Sequence, residues 1–287
     1  MKNCSFEITL IWLQVKPSFR YTLFMSKRFR NCLFKLDKHF FSGLFSRLSI
    51  FIKLEALFLQ KDQGFKITSY YKRNEFNYLA QLCDLYGSDK GEVGRSSQPY
   101  PWDSHTYTDY YSRIFSSSRY SVKSVLEVGI GTNNPNLAST MQANGKPGAS
   151  LRVWRNYFPN AVIYGADIDR DVLFEEPRIK TFYMNQVDSQ SVADFFTVIG
   201  DIEFDIIFDD GLHTFEAGSV LFTQAIERLS NAGTYIIEDV TFQDLSRYKD
   251  FFAELSYDVD FVTLHRPKLP LLDNILVVVK KFESNQI

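Results

Sequence analysis

Apolar and polar positions alternate in a regular order along the second half of this chain. Short runs rich in β-branched and aromatic residues cover Val122 to Val128, Val162 to Ala166, Ile179 to Met184, Phe204 to Phe208, Thr234 to Ile237, Val259 to Leu264 and Asn274 to Lys280. Between them, residues spaced three and four apart predict helices over Leu151 to Phe158, Ser191 to Val198, Glu216 to Leu229 and Phe242 to Leu255. Strand and helix in strict alternation build a doubly wound parallel sheet. Only a short linker around His265 to Pro270 separates the last two strands, too little for a crossover helix, so they form an antiparallel hairpin. The expected α/β sheet is Rossmann-like and seven-stranded, with five parallel strands closed by that C-terminal hairpin.

The first part of the chain follows a different rule. From Phe29 to Leu59 apolar residues recur at Leu33, Leu36, Phe40, Leu44, Leu48, Phe51, Leu54 and Phe58, with Arg30, Lys35, Lys38, Arg47 and Lys53 among them. This is helical spacing on a cationic, amphipathic segment. Its apolar stripe suits packing on the main domain or on a second subunit, as in a homo-oligomer, and equally suits an anionic membrane surface. Glu7, Lys16, Pro17 and Arg20 interrupt the stretch from Phe6 to Met25, which excludes a membrane span, and no cleavage site follows that would make it a signal peptide. Met25 offers an alternative start. Three regions follow: a basic helical extension at 1–73, a helical cap or lid at 74–120, and the α/β domain at 121–287.

Charge sharpens that division. Residues 1–73 carry 14 Lys/Arg against 4 Asp/Glu, whereas residues 74–287 carry 18 against 30. An acidic main domain is a poor partner for nucleic acid. Cys4, Cys32 and Cys83 form no CxxC or zinc pattern, as expected of a reduced, cytoplasmic protein, here one that could lie peripheral to the inner face of a membrane. The Gly-, Ser- and Pro-rich residues 91–106 read as a long ordered loop or lid.

Candidate chemistry collects where strands end. After the first strand, Leu126-Glu127-Val128-Gly129-Ile130-Gly131 places two glycines where a ligand can approach the backbone, although Asn134 stands where a dinucleotide fingerprint needs a third. Asp167 ends the second strand as an acceptor for ribose hydroxyls, and Asp188 after the third as an acceptor for an adenine amino group. For Asp188 and Ser189 helix capping is the competing role, as it is for Ser150, which also stands near the methionine end of such a cofactor. The fourth and fifth strands run into Asp209-Asp210-Gly211-Leu212-His213 and Glu238-Asp239. Carboxylates at neighbouring strand ends, about 4.8 Å apart, can share one hard cation, and an imidazole beside them can serve as a general base. Asp209 could be a ligand, contact the cofactor's amino group or cap a helix. His105 could close over the cofactor or simply pack among its aromatic neighbours, and His39 and His265 carry no such pattern.

Over residues 76–282 the order Tyr86-Gly-Ser-Asp-Lys90, His105-Thr-Tyr-Thr-Asp-Tyr-Tyr111, Leu126-Glu-Val-Gly-Ile-Gly131, Gly148-Ala-Ser-Leu-Arg-Val-Trp154 and Tyr157-Phe-Pro159 resembles the class I S-adenosylmethionine-dependent methyltransferases. More narrowly, the chain is similar to the magnesium-dependent macrolide sugar O-methyltransferases of the mycinamicin and macrocin group. The resemblance implies S-adenosylmethionine as the cofactor, for which the strand-end residues Glu127, Gly129, Gly131, Ser150, Asp167, Asp188, Ser189 and Asp209 are the candidate contacts. It further implies Mg2+, or another hard divalent cation, on Asp210, Glu238 and Asp239, with His213 as the catalytic base. The expected reaction is methyl transfer to a hydroxyl of a sugar, on a small glycoside or, given the basic start, on a lipid-linked glycan. The alternatives are a metal-independent methyltransferase of another acceptor class and a noncatalytic interaction module. Thr132-Asn133-Asn134-Pro135 departs from the glycine-rich continuation usual in that family, and residues 1–73 have no counterpart in it.

Overall fold

A computed structural model describes residues 77–94, 98–264 and 274–281. The cationic stripe at 29–59 and the whole of 1–73 lie outside the described residues, as do Cys4, Cys32, His39 and His265. Among the described residues no helix is long and apolar enough to cross a membrane.

Eight strands form one sheet: β1 (Ser124–Val128), β2 (Val162–Asp167), β3 (Glu175–Glu176), β4 (Ile179–Tyr183), β5 (Phe204–Asp209), β6 (Leu229–Ile237), β7 (Tyr257–Thr263) and β8 (Ile275–Lys281), in the order β3-β4-β2-β1-β5-β6-β8-β7. Strands β4, β2, β1, β5 and β6 are parallel, β8 runs antiparallel to β6, and β7 pairs antiparallel with β8. The five-plus-hairpin expectation is met. To it is added β3, two residues that pair antiparallel with the edge strand β4 and are too few to show a period in the sequence.

Among the described residues six α-helices flank the sheet: α1 (Tyr78–Tyr86), α2 (Tyr107–Phe115), α3 (Ala149–Tyr157), α4 (Ser189–Ile199), α5 (Phe215–Ala225) and α6 (Phe242–Ala253). The helix expected to run to Leu229 ends earlier. A single 3-10 turn, Ile226–Arg228, follows α5, and Leu229 already belongs to β6, where it pairs with Phe204. Similarly, α3 begins at Ala149 behind an N-cap Gly148 in the left-handed region, so Ser150 sits in the first turn and is not the cap.

Side chains alternate across the sheet with period two, which divides the core into two layers. Val125, Ile206, Phe208 and Val278 face one side and pack with Leu79 and Cys83 of α1, Tyr107 and Tyr111 of α2 and Trp154 of α3. Leu126, Ile207, Tyr235 and Val277 face the other and meet Phe195 of α4, Phe222 of α5 and Phe252 of α6. The described residues of 74–120, the segment expected as a cap or lid, supply two helices whose apolar faces join the same core as the sheet.

Trp154 lies at the middle of the first layer, with no exposed surface, stacked on Phe208 at a centroid separation of 4.4 Å and an interplanar angle of 4°. Tyr111 meets both rings edge-on. Trp154→Ala is expected to destabilise the domain by roughly 3–5 kcal/mol through lost contacts and a cavity. Urea denaturation measures it, and a loss under about 1 kcal/mol would show that the neighbouring rings collapse into the gap.

Candidate active site

The chain runs outward from β1 to β2 and β4, then returns to β5 on the other side of β1. That reversal opens a crevice at the strand ends between β1 and β5, the place where open α/β sheets bind ligands. A cavity of about 540 Å³ lies there, within the range of small-molecule sites. It is lined by the loop after β1, by Asp167 and Ile168 after β2, by Asn185 to Val187 after β4, and by Asp210, His213 and Asp239 after β5 and β6.

Backbone bonds beyond the strand ends lock these loops together. Gly129 N–H donates to Ala166, Asp210 N–H to Val128 and Glu238 N–H to Asp209. Gly129 and Gly131 both have positive φ, +87° and +85°, which only glycine adopts freely. The space beside each is already taken by the protein. A Cβ on Gly129 would stand 2.0 Å from the Asp210 carbonyl oxygen, and one on Gly131 would stand 2.1 Å from Met141 Sδ. Gly129 therefore lets the β1 loop lie against the backbone that carries Asp210. Asp167 secures the same loop, accepting from Ile130 N–H at 2.9 Å and from Asp169 N–H at 2.9 Å.

Gly129, Gly131, Ser150 and Asp167 line the large cavity. Glu127 stands behind its wall, fully buried, accepting from Trp154 Nε1 at 3.1 Å and lying 3.2 Å from Lys90 Nζ. Asp209 is also buried, accepting from Gln186 Nε2 at 2.5 Å. Burial raises both carboxyls to about 7. Asp188 caps α4 by accepting from Gln190 N–H, and neither it nor Ser189 lines the cavity. The adjacent Asn185, Gln186 and Val187 do.

The expected metal centre is assembled in part. Asp210, His213 and Asp239 offer ligand atoms that all lie within 4.8 Å of one another. His213 Nδ1 stands 3.0 Å from Asp239 Oδ2 and its Nε2 3.7 Å from Asp210 Oδ1. Both His213 and Asp239 take positive φ, 59° and 54°, an unusual conformation for residues with a Cβ and one that collects at functional sites. Thr214, not His213, caps α5. Glu238 stands outside this group. Tyr111 Oη donates to its Oε1 at 2.6 Å and Lys90 Nζ donates to its Oε2.

Sequence reading assigned no role to Lys90, Tyr107 or Tyr111, although all three fall inside the motifs that carried the resemblance. Lys90 Nζ lies among three carboxylates, Glu127, Asp210 and Glu238, with the Asp210 contact at 2.6 Å. Tyr107 Oη donates to Asp239 Oδ1 at 2.5 Å and accepts from Asp239 N–H at 3.2 Å. His105 Nε2 lies 3.5 Å from the same Oδ1, while its Nδ1 meets Asn274 Oδ1 at 3.0 Å. Asn274 Nδ2 donates to the Leu264 carbonyl, so its Oδ1 is the acceptor and His105 Nδ1 carries a proton.

Glu127, Asp209, Asp210, Glu238 and Asp239 outnumber the Lys90 ammonium and the His213 imidazole together, and an uncompensated carboxylate this far from water is costly. Burial raises Asp210 and Glu238 even against the pull of Lys90. Burial also opposes the charged form of His213, yet Asp239, Asp210 and Asp209 together push it up to about 10. Asp239 is held well below the usual carboxylate range, because its flanking imidazoles outweigh the effect of burial. The excess of negative charge and the all-oxygen-plus-imidazole donor set fit a hard divalent cation.

No protein-family model matches the chain. Among curated proteins it is similar to 8-demethyl-8-alpha-L-rhamnosyl tetracenomycin-C 2'-O-methyltransferase of Streptomyces olivaceus, 34% identical over 162 residues, which make up 56% of this chain and 37% of that protein. It is also similar to mycinamicin VI 2''-O-methyltransferase of Micromonospora griseorubida, 32% identical over 137 residues, 47% of this chain and 32% of that protein. The chain thus covers less than two fifths of the length of either relative. Among solved structures, the MycE methyltransferase from the mycinamycin biosynthetic pathway, in complex with Mg, SAH and mycinamycin VI, matches with a TM-score of 0.51 at 22% identity, over 73% of this chain and 56% of that one. That likeness is one of fold. The chain has the class I methyltransferase fold, and over about half of its length its sequence is similar to O-methyltransferases named for tetracenomycin, macrocin and mycinamicin.

Proposed function

We propose that this chain is a metal-dependent O-methyltransferase that moves a methyl group from S-adenosylmethionine to a hydroxyl of a sugar on a glycoside. The observation that carries this reading is the convergence of Asp210, His213 and Asp239 on the wall of the cavity that also holds the Gly129 to Gly131 loop. Relatives about a third identical over the aligned stretch are named as O-methyltransferases of a rhamnosyl tetracenomycin and of mycinamicin VI, which supports the acceptor class.

Gly129, Gly131, Ser150 and Asp167 hold the donor, with Asn185 to Val187 completing that wall, and Glu127 and Asp209 support it from behind. Asp210 and Asp239 would hold the cation, with Glu238 the neighbouring carboxylate, tied in this structure to Lys90 and Tyr111. When bound, a divalent cation supplies Lewis-acid polarisation of the acceptor hydroxyl, and S-adenosylmethionine supplies the methyl carbon and departs as its thioether. Asp239 fixes Nδ1 of His213, which leaves Nε2 to take the hydroxyl proton. A cation on Asp210 and Asp239 would offset the carboxylates that favour the protonated form of His213.

The cationic stripe at 29–59 supports, through charge pattern alone, a lipid-linked form of the acceptor at an anionic membrane face. Labelled-methyl transfer to a panel of free glycosides, lipid-linked glycans and catechols tests the assignment. Transfer to the sugar-bearing compounds is expected, with the more active of the two sugar sets naming the form of the acceptor. Transfer confined to the catechols would overturn the sugar assignment.

A further inference from the structure

Each carboxylate in the ion group has one oxygen tied down from a distant part of the chain and the other directed at His213. In Asp210, Oδ2 receives Lys90 Nζ at 2.6 Å, while Oδ1 lies toward His213 Nε2. In Asp239, Oδ1 receives Tyr107 Oη at 2.5 Å, while Oδ2 lies 3.0 Å from His213 Nδ1. Tyr107 adds a second bond in the opposite sense, taking the Asp239 backbone N–H, and so clamps both the side chain and the left-handed backbone of that residue. Both tethers are rigid. Lys90 and Tyr107 are themselves buried, and the Tyr107 ring is stacked on His105 at 4.5 Å.

We propose that Lys90 and Tyr107 are positioning residues that orient Asp210 and Asp239 for the divalent cation. They occupy one oxygen of each carboxylate and turn the other toward the space beside His213 where the candidate ligand atoms converge. This rests on the metal-dependent reading above and adds to it the part of the chain that does the orienting: Lys90 comes from the segment after α1 and Tyr107 from the first turn of α2, more than a hundred residues from the carboxylates they hold. Lys90 also lines the cavity, whereas Tyr107 does not. Their effect is on where the ligand oxygens stand, and outer partners of this kind typically control metal affinity by about 10–100-fold.

The test uses the full chain and Mn2+ as the probe, with bound and free ion counted by electron paramagnetic resonance. Tyr107→Phe removes one hydroxyl and keeps the ring in its place in the core. It is expected to weaken Mn2+ binding by about 10–100-fold, while calorimetric affinity for S-adenosylhomocysteine stays within about twofold, since Tyr107 does not line the cavity. Lys90→Gln, checked for native circular dichroism, is expected to weaken Mn2+ binding in the same range. A folded Tyr107→Phe variant with Mn2+ affinity within about twofold of the parent would overturn the role of Tyr107, and a folded Lys90→Gln variant with unchanged or tighter affinity would overturn that of Lys90. Parallel losses of Mn2+ and S-adenosylhomocysteine affinity would also overturn the positioning role, because they would mark general damage to the domain. If the parent chain itself binds no Mn2+, the metal-dependent reading fails first and this inference fails with it.

Discussion

Asp239→Asn is expected to reduce methyl transfer by at least roughly a thousandfold while the protein stays folded. The residue sits at the centre of the site. One oxygen meets His213 Nδ1 at 3.0 Å, the other meets Tyr107 Oη, and the pair belongs to the group able to hold an ion. Replacing the carboxylate by an amide removes a full charge from the ion site and loosens the hold on the base at the same time. A metal supplies several kcal/mol of transition-state stabilisation, and about 4 kcal/mol corresponds to a thousandfold in rate. The fold should tolerate the change, because asparagine is at ease at the positive φ of 54° that this position requires, and its amide oxygen still accepts from Tyr107. Single-turnover kinetics alongside circular dichroism measures both parts. A variant retaining more than about a tenth of parental turnover would remove Asp239 from the chemistry.

His213→Asn should lower turnover by about 10²–10⁴-fold, the usual contribution of a positioned general base. The choice of asparagine follows from the backbone. At φ 59° an alanine would add strain of its own, whereas asparagine takes this conformation readily, so the loss reports the missing imidazole. Cofactor affinity should change little, since the cavity wall formed by the Gly129 loop and Asp167 is untouched. If the loss of turnover were matched by an equal loss of S-adenosylhomocysteine binding, His213 would act by holding the cofactor and not as the base.

Most of the fold was legible along the chain because it rests on local periodicity. Buried strands such as Phe204–Asp209 are near-continuous apolar runs, and the amphipathic helices between them carry their own spacing. Boundaries were harder. Whether Leu229 closes a helix or opens a strand depends on its pairing with Phe204, a contact between segments that no window of sequence contains. The site divides along the same line. Asp210, His213 and Asp239 could be placed together because each stands just past a strand end, and neighbouring strand ends are neighbours in space. Lys90 lies between the first two helices and Tyr107 opens the second, where no strand register fixes their position, and their partners are more than a hundred residues away. Asp188 misled for a related reason: an acid after a strand is as well suited to start a helix as to meet a ligand, and here it caps α4.

The most direct test of the central claim is metal dependence of the reaction on a single preparation. Labelled-methyl transfer from S-adenosylmethionine to a reactive glycoside should be measured before chelation, after exhaustive chelation and dialysis, and after Mg2+ is restored. Turnover is expected to fall by about a thousandfold without the ion and to return when Mg2+ is added, with S-adenosylhomocysteine binding preserved throughout. Undiminished methylation in the chelated protein would contradict the account, since the five carboxylates gathered around Lys90 and His213 would then have a purpose other than holding a cation for catalysis.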